Sequence, residues 1–228
     1  MEDKSGFLII NKPAGPTSHD MIDKLRRLTG IKKIGHAGTL DPFARGVLIV
    51  AVGRRATREI SRFVKSDKEY IATLRLGATT DTYDLTGRVE VAPEPISGHP
   101  ESGSVAAVLR KFTGRQKQIP PMYSAKKING QKLYNLARKG IEIERAPTEI
   151  NIYEIELLSY EWPFLKVKIR CSSGTYIRSL AHDIGAALGC GAYLEELTRS
   201  AVGDFRIAEA KTLEELEIEG WEECLLRA

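Results

Sequence analysis

The uninterrupted apolar run Val47–Val52 constrains this chain more than any other stretch, because six such residues in a row read as a core strand. Just ahead of it lies Gly35-His36-Ala37-Gly38-Thr39-Leu40-Asp41-Pro42, a glycine-punctuated loop closed by proline. A carboxylate on a short loop beside a core strand takes its geometry from the fold, which suits chemistry. Thr-Leu-Asp-Pro is equally readable as a plain turn in which the Asp bonds local backbone. Asp41 alone does not separate the two.

Around that loop the pattern is mixed. Phe7–Ile10 reads as a short buried strand, and Thr17 or Ser18 caps a helix with Met21, Ile22, Leu25 and Leu28 along one face. Gly30 stops it. A second amphipathic helix is expected over 55–65, with Ile60, Phe63 and Val64 on one side. Tyr70–Leu76 reads as a strand, and 88–91 continues the β pattern. Pro, Gly and Ser make 92–104 a loop, after which Ser104 caps a helix to Phe112 and a further helix is expected over 131–139. Residues 148–160 and 164–171 alternate as a long antiparallel hairpin turning near Trp162-Pro163, and Thr175–Leu188 is helical. Strands and helices without regular βαβ alternation imply an α+β fold, with a largely antiparallel central sheet flanked by helices.

Composition sets the class of partner. The 228 residues carry a net charge of +4, unevenly spread. Residues 209–228 hold seven Glu against Lys211 and Arg227, so the body ahead of this acidic tail is the more basic part. Basic clusters at Lys24/Arg26/Arg27, Lys32/Lys33, Arg54/Arg55/Arg58/Arg62/Lys65, Lys111/Arg115/Lys117 and Lys126/Lys127/Lys132 suit a polyanion, RNA or DNA. Cys171, Cys190 and Cys224 are odd in number and lack Cys-x-x-Cys spacing, which fits a reducing cytoplasm without a disulfide framework or zinc. No membrane helix and no secretory signal are expected. Phosphate-loop, dinucleotide and Gly-x-Ser-x-Gly signatures are missing, and the four histidines lack ligand spacing. No cofactor and no metal are therefore expected.

Four segments are too specific for generic loops: Asn11-Lys12-Pro13-x-Gly15-x-Thr17-Ser18; the Gly35–Pro42 loop; Gln118-Ile119-Pro120-Pro121-x-Tyr123-Ser124-Ala125-Lys126-Lys127; and Cys171-Ser172-Ser173-Gly174-Thr175-Tyr176-Ile177-Arg178-Ser179-Leu180. Lys68-x-Tyr70-x-x-x-Leu74-Arg75-Leu76-Gly77, Thr80-Asp81-Thr82-x-Asp84 and Leu197-x-Arg199 complete the set. In order and spacing the chain resembles the bacterial tRNA pseudouridine-55 synthases over residues 7–205.

The resemblance implies a pseudouridine synthase fold with RNA-binding loops, acting alone on the TΨC stem-loop of tRNA. Asp41 matches the catalytic aspartate that attacks the target uridine. Tyr70 matches the tyrosine stacking on the base, and Arg178 the arginine paired with the aspartate. His36 matches a histidine that helps hold the tRNA loop open. Lys12, Tyr176, Leu197 and Arg199 match positions at or around the substrate. Taken singly, Arg178 reads as a surface residue bridging Asp183 or Glu195, Tyr70 as a strand residue and His36 as a turn residue. The implied organisation is a catalytic domain over 1–208, with an RNA-gripping insertion near 112–146. The acidic tail 209–228 then stands where typical members continue into a PUA-type domain. A monomer is expected. The rival readings are an RNA-guided relative and a non-catalytic tRNA-folding chaperone.

Overall fold

The computed structural model describes residues 4–91, 99–124, 126–128, 130–137 and 139–227. The chain opens with β1 (Gly6–Lys12), α1 (Ser18–Thr29), β2 (Ile34–Ala37) and β3 (Arg45–Val52), then the short helices α2 (Gly53–Glu59) and α3 (Ser61–Val64). Next come β4 (Lys68–Leu76), β5 (Ala78–Thr80), β6 (Val89–Val91), α4 (Ser102–Lys111), β7 (Gly114–Gln118), β8 (Lys127–Ile128), β9 (Gln131–Lys132) and α5 (Leu133–Ala137). The hairpin β10 (Thr148–Glu161) and β11 (Phe164–Cys171) precedes α6 (Ile177–Ala187), β12 (Ala192–Val202), β13 (Phe205–Arg206), α7 (Leu213–Glu219) and β14 (Leu226–Arg227).

Two compact units divide the chain: Met1–Tyr70 with Thr198–Ala228, and Ile71–Leu197. Strands β4 and β12 contribute residues to both.

In the first unit β3 is the central strand. Antiparallel β1 flanks it from Lys12↔Gly46 to Gly6↔Val52, and β14 extends the sheet beyond β1. Antiparallel β2 covers Ile49–Val52, and the end of β12 runs parallel over Arg45 and Gly46. Both faces of this sheet are buried, which is why β3 has no polar alternation. Leu8, Ile10, Leu48, Val50 and Val52 face α1 through Met21, Ile22 and Leu25. Phe7, Ile9, Val47, Ile49 and Ala51 face Ala56, Val202, Ile60 and Phe63.

Helix α1 obeys its local signals. Thr17 and Asp20 form a reciprocal capping box, and Gly30 ends the helix in the left-handed conformation at φ 70°. The helix expected over 55–65 is two helices meeting at Ile60. The acidic segment is no loose tail. Thr212 and Glu215 cap α7, Leu216 and Trp221 are buried in the core beside α1, and Lys211 bonds the backbone of Ile9 and Asn11. Its glutamates lie at the surface, as does Ile218, while Leu213, Leu216 and Trp221 pack inward.

In the second unit the strand order is β12-β4-β11-β10-β7, with β10 antiparallel to both β11 and β7. The hairpin turns at Trp162-Pro163 as expected. Helix α4 begins at Ser102, two residues ahead of the anticipated cap, and α6 begins at Ile177 with Tyr176 as its N-cap. The helix expected over 131–139 is present as the shorter α5, with β9 in place of its first turn. Residues 92–98 of the anticipated loop lie outside the described residues.

Candidate active site

The loop bearing Asp41 is bonded along almost its whole backbone. Lys12, at the end of β1, is fully buried, and its Nζ donates to the carbonyls of Ala44 (2.7 Å), Pro13 (2.8 Å) and Pro42 (3.2 Å). Ser18, in the first turn of α1, accepts from the Leu40 N–H at 2.9 Å and donates to the Leu40 carbonyl at 3.1 Å. Arg199, on β12, is also fully buried. Its Nε donates to Val47 O at 2.8 Å, Nη2 to Gly38 O at 3.1 Å and Nη1 to Thr39 O at 3.4 Å. Two backbone bonds complete the set, Gly15 N–H to Pro42 O at 2.8 Å and Ala44 N–H to Asp41 O at 3.1 Å.

Two glycines make this possible. At Gly46, φ is 108° and a Cβ would stand 2.3 Å from the Arg199 carbonyl oxygen, so only glycine lets β12 approach β3 there. Gly38, at φ 85°, turns the chain so that its carbonyl reaches Arg199. Asp41 itself is half-buried.

The charges around the loop act on one another. Burial, above all, pushes the Lys12 amine down to about 8; Arg199 pushes the same way, while Asp41 and Asp20 oppose it. His36, on β2 opposite Val50, is half-buried, and its Nδ1 has no hydrogen-bond partner among the described residues. Burial and the positive charges of Arg199 and His19 hold its imidazole below the ordinary value. Tyr70 is buried, on the β4 face shared with Ala72, Leu74 and Leu76. Lys12, His36, Asp41, Tyr70 and Arg199 all belong to the first unit.

Tyr176, Arg178 and Leu197 belong to the second. Arg178 is not the surface residue that it reads as when taken singly. It is buried, and Nη1 meets Asp84 Oδ2 at 3.2 Å, with both side chains about one-twentieth exposed. The same guanidinium donates to Tyr123 O (2.6 Å) and Thr82 O (3.2 Å). Asp84 Oδ1 accepts from the Thr82 hydroxyl (2.9 Å) and from the Thr86 N–H and hydroxyl (2.9 and 2.5 Å). A buried ion pair holds best when further hydrogen bonds surround it, and here both partners have them.

The turn carrying Asp84 is set from outside. Leu194 of β12 exchanges backbone bonds with Tyr83 and Leu85. Tyr83 adopts φ 63°, unusual for an aromatic residue, and stacks on His182 of α6 with ring centroids 4.1 Å apart. The start of α6 is fixed by the buried Gln118. Its amide accepts from Tyr176 N–H at 2.8 Å and donates to Tyr176 O at 3.0 Å. The sequence pattern places Asp84 in a structural hydrogen-bonding turn and does not connect it to Arg178. Leu197 is buried on β12, and Tyr176 is half-buried.

Known proteins agree with this architecture. The TruB family pseudouridylate synthase N-terminal domain matches residues 26–177, and the tRNA pseudouridylate synthase B C-terminal domain matches residues 178–228. The tRNA pseudouridine synthase B of Protochlamydia amoebophila is 52% identical over 200 residues, covering 88% of this chain and 75% of that protein. That of Chlamydia abortus is 50% identical over 204 residues, covering 90% and 85%. Among solved structures, a chain of a Cbf5-Nop10-Gar1 complex superposes with a TM-score of 0.74 at 31% identity, over 93% of this chain and 54% of that one. An H/ACA RNP bound to a substrate RNA containing 2′-deoxyuridine gives 0.71 at 28% identity, over 97% and 56%. The chain thus spans little more than half the length of these solved chains. The fold is that of the pseudouridine synthases. Within that class, the chain belongs to the TruB family of pseudouridylate synthases.

Proposed function

We propose that this protein converts uridine 55 in the TΨC loop of tRNA to pseudouridine, with Asp41 as nucleophile. The observation that carries the reading is the Asp41 loop, a half-buried carboxylate whose neighbouring peptide groups are bonded on both sides. A nucleophile so placed spends little free energy on reaching a reactive geometry. The uridine is stacked inside the folded tRNA, so it must be flipped out at a cost of a few kcal/mol. Tyr70 is assigned the stacking platform, which returns about 1–3 kcal/mol. Its place on a buried strand face keeps the ring in one orientation.

The chemistry balances without a redox partner. Asp41 bonds transiently to the nucleoside, at C1′ or at C6. The C1′–N1 bond breaks, the base turns and the C1′–C5 bond forms. A proton leaves C5, N1 gains one, and the carboxylate is regenerated. Arg178 is assigned the electrostatic support of that carboxylate, and Tyr176 and Leu197 the lining of the base. His36, held below its ordinary pKa by burial, is uncharged at neutral pH and contributes a neutral ring that keeps the RNA loop open. The basic helices and loops 118–134, within the RNA-gripping region near 112–146, are assigned the phosphates.

Pseudouridine mapping in tRNA treated with wild-type and Asp41→Asn protein tests the reading. Loss of turnover with RNA binding retained is expected. Undiminished product would overturn the nucleophile, and undiminished tRNA remodelling without product would favour the chaperone. The likeness to a chain from an H/ACA RNP raises a second, RNA-guided reading. Turnover on a bare TΨC stem-loop, with no other macromolecule present, excludes it.

A further inference from the structure

The resemblance placed Lys12 and Arg199 at the substrate. Both are instead fully buried, with their donors turned onto main-chain carbonyls. Fully buried cations cannot neutralise phosphates at a surface, and their placement has to be explained otherwise. The explanation lies in which carbonyls they take. Arg199 holds residues 38 and 39, Ser18 holds residue 40 at both its N–H and its C=O, and Lys12 holds residues 42 and 44. The bonded peptides bracket Asp41 on either side. Arg199 also reaches Val47 O, which ties the upstream half of the loop to the first residues of β3.

Building on the reading that Asp41 is the nucleophile, we propose that Arg199 and Ser18 are positioning residues that set the Asp41 carboxylate through the backbone of its own loop and make no contact with RNA. Arginine suits the task because its planar fork serves three carbonyls from one side chain at fixed angles. Lysine in its place keeps the charge and three donors, but all on one nitrogen, which cannot span carbonyls set to the separate Nε, Nη1 and Nη2 of the guanidinium. Ser18 acts on the residue immediately before Asp41. Its hydroxyl is both donor and acceptor, and alanine removes both bonds while leaving the charge of the site unchanged. A displacement of the nucleophile near 1 Å costs on the order of 10²-fold in rate.

The test uses the whole protein and a TΨC stem-loop RNA, comparing Ser18→Ala, Arg199→Lys and Arg199→Gln with wild type. Two quantities are measured: the single-turnover rate at saturating enzyme, and RNA affinity as a function of salt. Saturating enzyme makes the rate insensitive to a partly unfolded population, which a merely structural role would produce. Expected is a fall in rate of about 10- to 100-fold, with affinity and the slope of log affinity against log salt unchanged. Weaker binding with a slope reduced by about 0.7–0.9, the mark of one lost phosphate contact, and a normal rate at saturation would make Arg199 an RNA ligand and overturn the proposal. So would wild-type rate and affinity in all three variants. Should both Arg199 variants fail to fold, Ser18→Ala decides alone, because it deletes one hydroxyl and no charge. Asp41→Asn runs beside them. Turnover surviving there overturns the nucleophile reading itself, whereas an inactive Asp41→Asn with a fully active Ser18→Ala overturns only the positioning.

Discussion

Asp84 offers the sharpest test of how the second unit holds Arg178. Both side chains are about one-twentieth exposed and meet at 3.2 Å. Asp84→Ala takes the carboxylate from a buried guanidinium and strands the donors of Thr82 and Thr86 that now bond Oδ1. Breaking a buried pair from one side costs about 3–5 kcal/mol. For a chain of this size that is a fall in Tm of about 6–20 °C. Asp84→Asn should be only a partial rescue. With its oxygen toward the threonines its NH₂ faces the Arg178 donor; flipped, the NH₂ faces the Thr86 N–H. Urea unfolding followed by circular dichroism measures the loss. A double-mutant cycle with Arg178→Met separates the pair from its surroundings, and the double variant should lose less than the two single losses added together. Asp84→Ala within about 0.5 kcal/mol of wild type, or strict additivity in the cycle, would refute the reasoning.

Three further outcomes follow from the first unit. Lys12 titrates near 8 when folded and at 10.5 ordinarily, so between those values the unfolded chain binds more protons and stability rises with pH. Relative to Lys12→Met, wild type should gain up to about 3 kcal/mol from pH 8 to 10.5, read as the difference in urea midpoints. His36 is held below its ordinary 6.5, so as pH falls through that value the unfolded chain takes up the proton first and stability drops. An NMR titration should place its midpoint below 6.5, and His36→Gln should remove this share of acid destabilisation. Gly46→Ala forces a Cβ to within 2.3 Å of a backbone oxygen at a φ of 108°. A loss above about 1 kcal/mol in unfolding experiments is expected, and a wild-type midpoint would contradict the close approach of β12 to β3.

Much of this protein is written locally. The capping box of Thr17 and Asp20 and the left-handed Gly30 bound α1 from neighbouring residues alone, and the two runs around Trp162-Pro163 pair because a short turn leaves them no nearer partner. The run Val47–Val52 announces a strand with no solvent face, and two core clusters cover it. Ordered motifs by themselves single out Asp41, Tyr70 and Arg178. Tertiary structure decides what those residues touch. Asp84 and Arg178 lie 94 positions apart, and Arg199 and Gly38 lie 161 apart, distances over which no local periodicity carries information. The same holds for the burial of Lys12 and Arg199, since a cation enters the interior only where folded carbonyls replace its water, and those carbonyls come from elsewhere in the chain. It holds too for the acidic segment, whose many glutamates mask the inward-packing Leu216 and Trp221, visible only with the core beneath them in place. Local chemistry chose the elements, and long-range hydrogen bonding and packing chose which side chains stay accessible and which turn inward to hold the Asp41 loop.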